Sequence, residues 1–141
     1  MQNETILQMT MNAQLAEKSI FEQAKQYSFD YFDRVSSMDA VPVGDSLSAL
    51  SVFEQALPDS PQDPADILAQ LQLFGSGAIS AQGGGRYFGF VNGGVLPAAL
   101  AARWMADAWD QNAALYVMSP LASKLEEVCE RWLAELLGLP E

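Results

Sequence analysis

Residues 5–35 run TILQMTMNAQLAEKSIFEQAKQYSFDYFDRV. Ile20, Ala24, Tyr27, Tyr31 and Val35 recur at helical spacing, and Ala13, Ala16 and Phe32 widen the same stripe. Glu17, Lys18, Glu22, Gln23, Lys25 and Gln26 fill much of the remaining surface. The spacing predicts one long helix, with a kink near Ser28 as the alternative. Unbroken, it would be about 46 Å long. A compact domain of this chain length has a diameter of roughly 37 Å. The helix would overhang its own domain, and an apolar stripe on an overhang needs a second surface.

The following segments are also helical in pattern. Val41-Pro42-Val43-Gly44 is a break. Asp45 or Ser46 can cap a short helix running through Phe53 to Leu57. Asp63 followed by Pro64 predicts a helix carrying Ile67, Leu68, Leu71 and Phe74, stopping at Gly75-Ser76-Gly77. Pro97 opens an alanine-rich helix to about Asp110, with Trp104 and Trp109 as its bulk. Ser119-Pro120 opens the last helix. Leu121, Leu125, Val128, Cys129, Trp132 and Leu136 form its apolar face, and Gly138 then Pro140 close it. No alternating pattern of useful length predicts a strand, so the chain reads as all-α. Three parts follow: a helical arm over 1–80, a glycine and aromatic loop over 81–94, and a two-helix segment over 95–141.

Composition excludes several functions. Of 141 residues half are hydrophobic, so the chain is not disordered throughout. A net charge of −11 opposes binding to nucleic acid or to an anionic membrane surface. The uncharged stretch from Ile67 to Gly85 is broken by polar residues and glycines and is no bilayer span. There is no histidine and one cysteine, Cys129, so a metal site has almost no ligands and no internal disulfide can form. The start, Met1-Gln2-Asn3-Glu4, has no basic region followed by an apolar run. These features point to a reducing compartment and a cytoplasmic protein. Cys129, on an apolar stripe with no histidine to activate it, reads as a packed core thiol. Glu126, Glu127 and Glu130 read as a solvated face.

The glycines at 83, 84, 85, 89, 93 and 94 lack every phosphate-loop spacing and read as a loop that lets backbone approach another surface. Tyr87, Phe88 and Phe90 within it either plug a local core or line a pocket or interface. Asp110, Gln111 and Asn112 end an apolar helix, either as a polar site or as groups that satisfy the helix end.

From Gly85 to Pro140 the motifs fall in a distinctive order. RYFGFVNGG occupies 86–94, PAALA 97–101, WDQN 109–112, Ser119-Pro120 follows, and LEEV at 125–128 precedes Trp132-Leu133. This run resembles the N-terminal portion of the pyridoxal-phosphate-dependent group II amino-acid decarboxylases, whose members include glutamate and aromatic-amino-acid decarboxylases. Upstream, including Val41-Pro42 and the Pro61 to Leu71 helix, the resemblance is in layout and is weaker in motif.

The resemblance implies a helical dimerisation and substrate-pocket segment of a fold type I (aspartate-aminotransferase-like) enzyme whose catalytic α/β domain is absent here. It implies a homodimer through the helices, a catalytic domain in cis and an amino-acid substrate. Phe88, Phe90, Asn92, Gln111 and Asn112 become candidate substrate-binding residues. One departure is Gly84-Gly85, where many members carry His-Pro. The family's cofactor lysine, ring-stacking histidine and pyridine-pairing aspartate have no counterparts here, so pyridoxal 5′-phosphate belongs to the full-length family and this chain has no catalytic residue of its own. The segment would be inactive alone. The alternative is a stand-alone helical interaction module derived from it.

Overall fold

The structure, a computed structural model, describes residues 5–140. Every regular element among them is helical, as the all-α reading requires. The chain divides into two compact units, Met1–Gly94 and Val95–Glu141.

In the first unit, α1 spans Ile6–Glu17 and α2 spans Ser19–Arg34. Thr5 and Gln8 form a reciprocal capping box at the start of α1. The Thr5 hydroxyl accepts the Gln8 N–H at 3.2 Å, and Gln8 Oε1 accepts the Thr5 N–H at 2.9 Å. The single long helix predicted over 5–35 is interrupted in this structure. It breaks at Lys18, in the left-handed region at φ 63, and not at Ser28. Ser28 lies inside α2, where its hydroxyl donates to the Ala24 carbonyl at 2.9 Å without breaking the helix. The break costs about 1–2 kcal/mol for a residue with a Cβ. Packing does not oppose it, since α1 contains no buried residue.

The predicted stripe on α2 is half-buried at all five positions, Ile20 to Val35, whereas Ala13, Ala16 and Phe32 are exposed. α2 packs on α3, Pro64–Gln70. Gln23, assigned to the wet side, lies in this contact: its Nε2 donates to the Ala65 carbonyl at 3.0 Å and to the Tyr27 hydroxyl at 3.0 Å. Asp63 caps α3 by accepting the Ala65 N–H at 2.8 Å, with Pro64 in the first turn. Past Gln70 the helix widens into a π turn over Leu71–Gly75.

The short α-helix predicted from Asp45 or Ser46 to Leu57 is instead two 3₁₀ segments, Gly44–Ser46 and Ser48–Phe53. Serines explain the difference. The hydroxyls of Ser46, Ser48 and Ser51 bond the carbonyls of Val43, Asp45 and Ser48 at 2.9, 2.7 and 2.9 Å, a three-residue step that favours the tighter helix.

Beyond the π turn, residues 81–86 fold onto the chain following α2. Ala81, 2% exposed, donates its N–H to the Ala40 carbonyl at 3.2 Å. Arg86 Nη2 reaches the Met38 carbonyl at 2.5 Å. Gly84 permits this approach, since a Cβ there would lie 2.9 Å from the Val35 carbonyl oxygen.

In the second unit, α4 spans Pro97–Ala108 and α5 spans Pro120–Leu137, each with proline in its first turn. The Ser119 hydroxyl caps α5 by accepting the Ala122 N–H at 3.3 Å. At the other end Gly138 is left-handed, and the Gly138 and Leu139 N–H groups bond the Glu135 and Ala134 carbonyls at 3.2 and 2.9 Å. This closing pattern satisfies the last carbonyls.

The predicted apolar face of α5 is uncovered: Leu121, Leu125, Cys129, Trp132 and Leu136 are exposed, and Val128 is half-buried. Cys129 is therefore a free, exposed thiol and not a packed core residue. The pattern marked the face correctly, but nothing in this unit buries it. The same shortage extends through the chain, which exposes 11793 Å². Two folded monomers the size of the two units, held apart, would together expose about 8,500 Å². The excess is on the order of 3,000 Å².

Candidate functional site

The aromatic loop begins where Arg86 anchors it. The Tyr87 N–H donates to the Gly84 carbonyl at 3.2 Å, and the ring is half-buried. Gly89 leaves room for that ring, since a Cβ there would come within 3.0 Å of the Tyr87 hydroxyl. The Asn92 N–H then closes a turn onto the Gly89 carbonyl at 3.2 Å. Both central residues are left-handed, Phe90 at φ 55 and Val91 at φ 60. Asparagine and glycine suit such a turn; phenylalanine and a β-branched valine do not. The conformation stores roughly 1–2 kcal/mol at each position.

Phe88, Phe90 and Val91 are 91%, 90% and 103% exposed, and Asn92 is exposed beside them. Of the two readings of this loop, plugging a local core is excluded for Phe88 and Phe90. Within the loop, three apolar side chains stand in water on a strained turn.

The polar cluster belongs to the other unit. Asp110 is left-handed at φ 51. The Asp110 and Gln111 N–H groups bond the Asp107 and Ala106 carbonyls at 3.2 and 3.3 Å, closing α4 as Gly138 closes α5. Gln111 uses both ends of its amide: Nε2 donates to the Trp109 carbonyl at 2.9 Å, and Oε1 accepts the Ser119 hydroxyl at 2.8 Å. Asn112 Oδ1 accepts the Ala114 N–H at 2.9 Å. Ser119 is fully buried, and its hydroxyl joins the end of the α4 turn to the start of α5. The sequence places Ser119 at the opening of the last helix but carries no mark of its pairing with Gln111.

Ionisable groups form no catalytic cluster among the described residues. Lys25 pairs with Glu22, and Lys124 with Glu127 at 2.8 Å, all on exposed surface. The Lys124 hydrogen bond, then its charge, holds the Glu127 carboxyl below its ordinary range. Lys18 is exposed at the helix break. A pyridoxal phosphate site needs a lysine within a pocket, and these three lysines do not fit that requirement. An open hollow of about 360 Å³, lined by Pro58, Asp59, Ser60, Pro61, Gln62 and Ile67, contains no lysine. No three histidine, cysteine, aspartate or glutamate side chains converge among the described residues, and no described helix is long and apolar enough to cross a membrane.

No family model, curated protein or solved structure matches this chain.

Proposed function

We propose that this chain is the N-terminal dimerisation and substrate-pocket segment of a pyridoxal-phosphate-dependent amino-acid decarboxylase, inactive by itself. The carrying observation is the amount of exposed surface, which includes many large apolar side chains. An excess on the order of 3,000 Å² on one chain is well above the roughly 800 Å² per partner of a standard interface, and falls in the range of obligate assemblies. Exposed apolar side chains lie on the α5 face, on α1 (Ile6, Leu7, Met9, Met11 and Leu15) and on the Phe88–Val91 turn. The motif order from Arg86 to Trp132 supplies the family reading. On it, Phe88, Phe90 and Asn92 line the substrate entrance, and the segment pairs with a second copy.

A second reading, a stand-alone helical interaction module, has one observation in its favour. Gln111 and the Oδ1 of Asn112 are already engaged within their own unit.

The experiment is to express the gene encoding this sequence to its natural stop codon and purify the product with added cofactor. The decarboxylase reading requires release of CO₂ from an amino acid and one stoichiometrically labelled lysine after borohydride reduction, outside positions 18, 25 and 124. A product that neither labels nor releases CO₂, yet forms a stable complex, favours the module.

A further inference from the structure

We propose that Lys18 is a hinge, and that residues 6–34 interchange between the broken pair of helices seen here and one continuous helix. This goes beyond the functional reading and does not depend on it.

Two independent observations carry the proposal. The first is local. Lys18 holds a left-handed φ of 63 without being glycine, and Glu17, Lys18 and Ser19 are all exposed, so no packing fixes the bend. Much of the bonding of an unbroken helix is already in place. The Lys18 N–H donates to the Gln14 carbonyl at 3.1 Å, and the Lys18 carbonyl accepts the Glu22 N–H at 3.1 Å; both are four-residue steps. Only the N–H groups of Ser19, Ile20 and Phe21 must move, onto the carbonyls of Leu15, Ala16 and Glu17. Phe21 now bonds Lys18.

The second observation is the register. The half-buried stripe of α2, Ile20 through Val35, continues backwards through Ala16, Ala13, Met9 and Ile6 at steps of three and four without a phase slip. A sequence meant only for a bend has no reason to keep that phase across it. Leu7, Met11 and Leu15 add a second apolar line, so α1 has no fully wet side in either form. In the broken form α1 buries none of its residues, so straightening sacrifices no buried contact. Two forms separated by one residue's φ/ψ change, with little packing to distinguish them, constitute a hinge.

The test is a distance measurement by pulsed electron resonance. Spin labels go on Met9→Cys and Asp33→Cys, both exposed positions, in a Cys129→Ser background. In a continuous helix these backbones lie about 36 Å apart, and a bend shortens the separation. Wild type is expected to show both populations. Lys18→Gly removes the left-handed penalty and should favour the short distance by at least about tenfold. Lys18→Ile, β-branched and ill-suited to positive φ, should collapse the distribution onto the long distance. Circular dichroism checks that each variant keeps its helix; Lys18→Gly can be read even where Lys18→Ile loses it. Identical distributions in wild type and Lys18→Gly, or a wild type and Lys18→Ile that both hold only the short distance, would overturn the hinge.

Discussion

Gly84→Ala should loosen the whole aromatic loop, whereas Gly83→Ala should not. The added methyl at position 84 would lie 2.9 Å from the Val35 carbonyl oxygen and 3.1 Å from the Ala81 carbonyl oxygen. Both are backbone atoms, so no side chain can rotate away. One sits where α2 ends, and the other accepts the Gly84 N–H. Relief requires the 81–86 segment to lift off, breaking the bonds from Ala81 to Ala40 and from Arg86 to Met38. Overpacking of this kind costs about 1–3 kcal/mol. Read by amide hydrogen exchange, that is about a 5- to 150-fold loss of protection at Ala81, Gly84 and Tyr87, the residues whose N–H groups hold the segment. At Gly83 a methyl meets nothing within 4 Å, so Gly83→Ala is neutral or slightly stabilising. If the two variants exchange alike, the close approach at Gly84 is not what fixes the loop.

Ser119→Ala removes the α5 cap and the Gln111 bond together and should lower the stability of the second unit by about 1–2 kcal/mol. Fluorescence melting of Trp104, Trp109 and Trp132, all within that unit, reads it; an unchanged midpoint counts against the link. Glu127 titrates below the ordinary carboxylate range because Lys124 bonds it, so its small stabilising effect is present above the unfolded pKa and lost as pH falls through the folded one. A carbon-13 NMR titration should show Glu127 moving up in Lys124→Gln, and an unmoved curve would refute the cause. In an active enzyme carrying this segment, Asn112→Ala should reduce kcat/KM by about ten- to a hundredfold. A depressed melting temperature with unchanged efficiency would identify Asn112 as a turn residue serving Ala114 and nothing more.

Helix ends were legible where side-chain chemistry dictates them. Asp63-Pro64, Ser119-Pro120 and Gly138 all mark real termini, and the stripe on α2 is half-buried throughout. The break at Lys18 carried no such mark, because lysine has no preference for positive φ and the apolar phase continues across it. The 3₁₀ segments were misread because serines at 46, 48 and 51 offer both a capping and a back-bonding use, and the latter prevails. Cys129 was misplaced for a different reason. Periodicity tells which side of a helix is apolar; it does not say whether the covering surface lies within the same unit.

The same distinction decides how the candidate residues are to be weighed. No buried side-chain polar atom among the described residues lacks a hydrogen-bond partner. Gln111 is satisfied by its own unit at both ends of its amide, and Asn112 is engaged there through Oδ1. The apolar members are in the opposite state: Phe88, Phe90 and Val91 are ordered on a turn that costs energy to hold, and they gain nothing from their own chain. Strain without internal return is accounted for when another surface supplies the return. On the proposed assembly reading, that return is apolar cover. Phe88 and Phe90 deserve the first substitutions in any test of assembly, and Gln111 the first in any test of folding.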